Sequence, residues 1–261
     1  MRLSLAARCA WPAFIGLMLA YLTVPLALVI LFSFNRSALS SFPITGLTLD
    51  WYRRLALNAS FWPALYNSLL IGAAVAAASV SVGLLAALAL ARMAARRAQA
   101  LLDVLSAPMM LPGLIIGIAL LSFFVRGLAV PLGLPTVILG QLVVIAPFVI
   151  AILFARLSSF DWSLVESARD LGATPVQAFM TVTLPLIRPS VVGSALIALS
   201  LSLDDFVITF FTIGSGNTLP TLVWGLVRTT LDPTINAIAT LLLALSIGST
   251  ILALKVIDYR R

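Results

Sequence analysis

Histidine is absent from the chain, and cysteine occurs once, at Cys9. That inventory excludes a disulfide framework, a structural zinc site and a Cys–His nucleophile pair within one chain. No metal or cofactor is expected on it. Cys9 follows Arg8, where a lipoprotein signal needs a small residue, and reads as an incidental thiol. Charge is scarce as well, at 10% of 261 residues, where a soluble domain carries about 25%. There is no G-x-x-x-x-G-K-[ST] pattern, so the chain itself is not expected to bind ATP. No polar stretch is long enough for a soluble domain, and residues 1–261 read as one transmembrane domain.

What the chain has is apolar length, with 62% hydrophobic residues against about 45–50% in a soluble domain. The bilayer is the solvent that tolerates this excess. Six apolar runs approach the roughly 20 residues needed to cross: 12–34, 66–91, 104–125, 136–155, 188–213 and 236–256. A spanning segment must satisfy its own backbone, so all six are expected to be helices and the fold class all-α. Pro108 and Pro112 in the third run and Pro147 in the fourth are expected to kink their helices or widen the gaps between them. Arg2 and Arg8 resemble the start of a signal peptide. The run that follows exceeds the 7–15 residues of a cleaved apolar core, which points to a retained first span.

The net charge is +7, but Arg and Lys lie in short clusters between the runs. This distribution points to membrane orientation and gives no support to a nucleic-acid partner. With the N-terminus inside, the cytoplasmic segments hold Arg2, Arg8, Arg92, Arg96, Arg97, Arg156, Arg169, Arg188, Lys255, Arg260 and Arg261. The outer segments hold Arg36, Arg53, Arg54, Arg126 and Arg228. Eleven against five favours both termini in the cytoplasm, which is the orientation expected.

The second run is dense in small residues from Gly72 to Gly83, which suits either a subunit interface or tight packing within one bundle. Ahead of it, Leu49–Leu65 mixes aromatic, aliphatic and basic residues as a helix at the membrane surface does. Asn67 and Ser68 are expected to cap the second span.

The stretch 156–188 is the longest inner segment. Ser163 and Glu166 are spaced as a capping box, Gly172 suits a left-handed helix end, and Thr174, Pro175 and Gln177 form a second box. With Pro185 and Pro189 breaking the chain before the fifth span, two short helices meeting at a Gly corner are expected. A rigid knob of this kind suits docking in a groove of another protein. Glu166 and Asp170 would pair with basic residues there, or Glu166 would only cap its own helix.

In the fifth run, Asp204 and Asp205 lie side by side. Carboxylates inside an apolar helix cost roughly 2.5–3.5 kcal/mol each and persist with a partner, a water-filled cavity or a function. Ser202, Asp205, Thr209 and Thr212 share one helical stripe. Asp205 is therefore expected on an aqueous path, and Asp204 is expected to support it or to contact a partner subunit. The alternative is a structural ion pair with Arg126 or Arg228.

Glu166-Ser167-Ala168, Gly172 and Leu184-Pro185 together resemble the E-A-A-x-x-x-G-x₉-I-x-L-P loop of ABC importer permeases, with Ser167 and Val182 as the departures. Ser202–Phe211, with Thr218-Leu219-Pro220 and Trp224 after it and Asn67-Ser68-Leu69 before, resembles the spermidine/putrescine branch. The resemblance implies a six-helix type I importer (MetI-like) permease in a bacterial inner membrane. In that family the Glu166–Pro185 loop would be the coupling helix on a cytoplasmic ABC ATPase dimer. ATP and Mg would sit on that ATPase. A second, homologous permease chain and an extracytoplasmic solute-binding protein are the other implied partners, within membrane lipid. The implied solute is a polyamine or a related small cation. The competing reading is a secondary transporter driven by an ion gradient, against which stand the lack of internal repeats and of His. A non-transporting scaffold would leave the acids and the knob unexplained.

Overall fold

The computed structural model describes residues 5–37, 41–229 and 232–258. Arg2, Arg260 and Arg261 lie outside the described residues, as do the side chains of Arg8, Cys9 and Lys255. The described chain is helical, with one isolated bridge, Asn35 to Leu47. In order come α1 (Leu5–Ser33), α2 (Asp50–Leu57), α3 (Phe61–Ala91), α4 (Ala95–Ser106) and α5 (Gly113–Ser122). There follow α6 (Leu134–Ser158), α7 (Ser163–Asp170), α8 (Pro175–Ala178), α9 (Leu184–Asp204), α10 (Val207–Thr212), α11 (Leu219–Thr229) and α12 (Thr234–Asp258). Among the described residues, four helices are long and apolar enough to cross a membrane, Trp11–Ser33 within α1, then α3, α6 and Pro175–Asp204, and a fifth span results if the bent pair Ala95–Met110 and Gly113–Gly127 is one span. The sixth expected run falls in α12, a single 25-residue helix whose side chains are described over Thr234–Gly248.

The third expected run is not one kinked helix. Ala95–Met110 and Gly113–Gly127 meet at 91°. Pro108 stands in a 3₁₀ turn, Ala107–Met110, and Pro112 stands in extended backbone before α5, with no N–H to offer the preceding turn. Pro147, in contrast, is accommodated inside a continuous α6.

The chain divides into two compact units, 1–61 with 223–244 and 62–222 with 245–261. In the first, Asn35 is fully buried and organises the outer loop. Its Oδ1 accepts from the amides of Ser37 (3.2 Å) and Thr45 (3.3 Å), and its carbonyl accepts from the Trp51 indole at 2.7 Å. Trp51 and Leu55 are the buried face of the short amphipathic α2.

In the second unit α6 lies at the centre and buries Val137, Ile145, Val149, Leu153 and Leu157. Small residues let its neighbours approach closely. A Cβ on Gly83 would stand 2.7 Å from Val149, and one on Gly117 would stand 2.6 Å from Phe211. Gly72, Ala76, Ser79 and Gly83 face inward along α3, while Ala73, Ala77 and Ser81 are exposed. The inward half of that small-residue face thus serves packing within the unit. Asn67 and Ser68 do not cap α3. The helix already starts at Phe61, with Pro63 in its first turn, where a missing N–H costs nothing. Asn67 Nδ2 instead donates to the Asn217 carbonyl (2.9 Å), and Ser68 Oγ accepts from the Leu219 amide (2.8 Å).

Candidate functional site

Two local structures carry the expected site residues, and both lie in the second unit. The first is the corner after α6. Gly172 adopts φ +91 with no atom within 4 Å of a Cβ placed on it, so backbone conformation and not space demands glycine there. The Gly172 amide donates to the Arg169 carbonyl (2.9 Å) and the Ala173 amide to the Ala168 carbonyl (3.1 Å). This is the paired bonding of a Schellman helix end, and Ala168 and Ala173 both pack on the core beneath it. Thr174 then opens the next helix as expected. Its hydroxyl accepts from the Gln177 amide (3.3 Å), and Gln177 Oε1 accepts from the Thr174 amide (2.9 Å).

The box expected between Ser163 and Glu166 does not form. Trp162 is the N-cap residue, and Asp161 Oδ1 accepts from the Ser163 amide (3.0 Å) and hydroxyl (2.7 Å). A carboxylate at a helix start outcompetes a hydroxyl because its bonds are charge-assisted. The Ser163 hydroxyl, and after it the Ser163 amide, holds the Asp161 carboxyl below its ordinary value.

The second arm of the corner is not a separate short helix either. α8, a π turn at Phe179–Thr183 and α9 run as one 30-residue helix, Pro175–Asp204. Pro185 lacks an N–H for the ladder and would crowd the Thr181 carbonyl in a regular helix. The π turn just before it, with the Leu184 amide donating to the Phe179 carbonyl, absorbs that misfit without a break.

The corner brings Glu166, Asp170 and Gly172 around an open hollow of about 490 Å³. Glu166, Ser167 and Asp170 are exposed, and Ala168 is half-buried. Leu184 and Pro185 do not line the hollow. They lie further along the helix, Leu184 half-buried and Pro185 exposed.

The second structure is a break at the far end of that helix. α9 ends at Asp204, and Asp205 turns to extended backbone. Asp205 Oδ2 accepts from the Thr209 amide (2.9 Å) and hydroxyl (2.8 Å), and Oδ1 accepts from the Ile208 amide (3.4 Å). The carboxylate thereby satisfies the start of α10. Gln141, 1% exposed on α6, ties the break together. Its Nε2 donates to Thr209 Oγ1 (2.9 Å) and Asp205 Oδ2 (3.2 Å), and its Oε1 accepts from Ser202 Oγ. The stripe of Ser202, Asp205 and Thr209 is real, but it faces α6. Asp204 is exposed on this chain and Asp205 is half-buried. Gln141 escaped the sequence reading. Its signal there is one amide side chain inside an apolar run.

Residues 79–260 match the family model described as binding-protein-dependent transport system inner membrane component. The chain belongs to this family. It is 36% identical over 230 residues to the putrescine transport system permease protein PotI of Escherichia coli K12, covering 85% of this chain and 82% of that one. It is 34% identical over 242 residues to the spermidine/putrescine transport system permease protein PotC of Haemophilus influenzae, covering 92% and 93%. Its fold matches a bacterial ABC transporter involved in import of the acidic polysaccharide alginate (TM-score 0.70, 17% identity, 100% of this chain and 99% of that chain). It also matches the inward-facing MetNI methionine ABC transporter (TM-score 0.60, 21% identity, 82% and 99%). The permease is therefore an all-α inner-membrane transport subunit with several spans and no enzyme of its own, which favours the importer reading over an ion-gradient transporter.

Proposed function

We propose that this permease carries a small cation of the polyamine class along a path shared with a second, homologous permease chain. A separate cytoplasmic ABC ATPase dimer, holding ATP and Mg, docks on the corner Glu166–Pro185. An extracytoplasmic binding protein delivers the solute, and both termini face the cytoplasm. The names of the relatives at 34–36% identity support the solute class. The observation that carries the cationic reading is Asp204, an exposed carboxylate at the end of a long apolar helix. A cation entering a low-dielectric path loses hydration, and a fixed negative charge offsets part of that loss. Asp205 is the staple that holds the break and Asp204 the charge offered to the solute.

The test is Asp204→Asn, which keeps shape and removes charge. In the assembled importer it should lower uptake of labelled putrescine or spermidine by about tenfold or more. The ATPase should still co-purify and hydrolyse ATP. Undiminished uptake by Asp204→Asn would remove the physical basis of the cationic reading.

A further inference from the structure

We infer that Arg92 and Trp162 form a joint that makes the cytoplasmic end of α3 follow the coupling helix α7, and that they act as positioning residues in energy coupling. The inference rests on the docking role proposed above for the corner. Neither residue belongs to the E-A-A pattern.

Arg92 is the first residue past α3, and its amide still donates to the Ala89 carbonyl at 3.2 Å. A cation is favoured at that end of a helix. Its guanidinium lies over the Trp162 ring, 5.3 Å from the centroid. Trp162 is the N-cap residue of α7, so the contact grips the helix at its first turn. The indole is itself held in place, edge-on to the buried Phe160 at 5.1 Å. Arginine suits this contact because its flat, weakly hydrated cation stacks on aromatic faces.

Beside the joint runs an open, mainly apolar groove of about 590 Å³, with Leu84 and Leu88 of α3 on one wall and Val165 and Phe179 of the corner on the other. Apolar walls along an open groove resist separation weakly, since their contacts have no fixed direction and are incomplete. The Arg92–Trp162 contact spans the same two walls and has a defined geometry. With it, a displacement of α7 carries α3 along. Without it, the same displacement opens or closes the groove, and motion gained from the ATPase is lost before it reaches α3.

The experiment uses the complete importer in proteoliposomes: both permease chains, ATPase and binding protein. The reading is solute taken up per ATP hydrolysed. Arg92→Gln and Trp162→Leu should each lower this ratio about two- to fivefold, the size of an exposed cation–π contact, while the ATPase still co-purifies. Arg92→Lys and Trp162→Phe, which keep a cation and a ring, should retain more than half of it. The double variant should be no worse than the poorer single variant, as for two partners in one contact. An unchanged ratio in both single variants overturns the joint, as does a double variant equal to the product of the two. Loss of the ATPase from Arg92→Gln also overturns it, by making Arg92 part of the docking surface. Glu166→Lys is the parallel control. If that variant keeps the ATPase and normal uptake, the docking role of the corner fails; if it loses both while Arg92→Gln couples normally, only the joint fails.

Discussion

A carboxylate within an apolar helix is expensive, yet Asp205 largely escapes that cost by not being inside one. The helix stops, and four donors from Gln141, Ile208 and Thr209 surround the acid. Each such bond matters because a buried donor left without an acceptor costs about 1–3 kcal/mol. Asp205→Ala should therefore destabilise the permease by about 0.5–2 kcal/mol, the usual loss at a helix cap, and Gln141→Leu by a similar amount. Both are read as a lower melting temperature of the purified protein in detergent. Asp204→Asn should leave that temperature where it was. The two acids were legible in the sequence as an anomaly, because adjacent charges in an apolar run stand out. Which acid faced inward was not legible. The answer depends on Gln141, more than sixty residues away, and helical periodicity holds no information about a contact of that range.

The elements divide the same way, by the range of the interactions that set them. The turn at Gly172 and the Thr174–Gln177 box are settled within five residues, and both are as the spacing of residue types implies. Ser163 misled because a second acceptor, Asp161, stands two residues upstream and is charged. Asp161 gives this cap a pH dependence. Its folded pKa lies below the ordinary value of 3.8, so its contribution is fully present above that value and is lost as pH falls through the lower, folded one. Protection of the Ser163 amide, corrected for the intrinsic exchange rate, should be constant from about pH 7 to pH 5 and fall only below about pH 4. In Asp161→Asn the protection should be weaker and flat with pH. The right-angle turn between α4 and α5 and the unbroken passage through Pro185 were not legible. A proline states what its own residue cannot do, and leaves open whether the chain bends, widens into a π turn or stops.

For the whole molecule, apolar runs and their spacing gave the class of protein, and charge gave a preferred orientation. Within the second unit the structure adds a relation between the ends of one helix. The early part of α3 bonds to Asn217 and Leu219, while its far end meets Trp162. Reporter fusions should respect that pairing: those near Asn58 and at Asn217 on one side, those after Arg97 and at Thr174 on the other. In the orientation proposed above, the first pair should read outside and the second inside. A cytoplasmic signal at Asn58 would reverse the orientation, and agreement between Thr174 and Asn217 would break the pairing itself.

The continuity of Pro175–Asp204 places the proposed docking corner and the proposed solute-facing acid at the two ends of a single helix. Thirty residues at about 1.5 Å each make it about 45 Å long. A tilt of about 5° at the Gly172 end would sweep the other end through about 4 Å, comparable to the width of a hydrated ion's first shell. Given the docking and solute roles proposed above, such a helix would act as a crowbar does, its far tip moving with its near one.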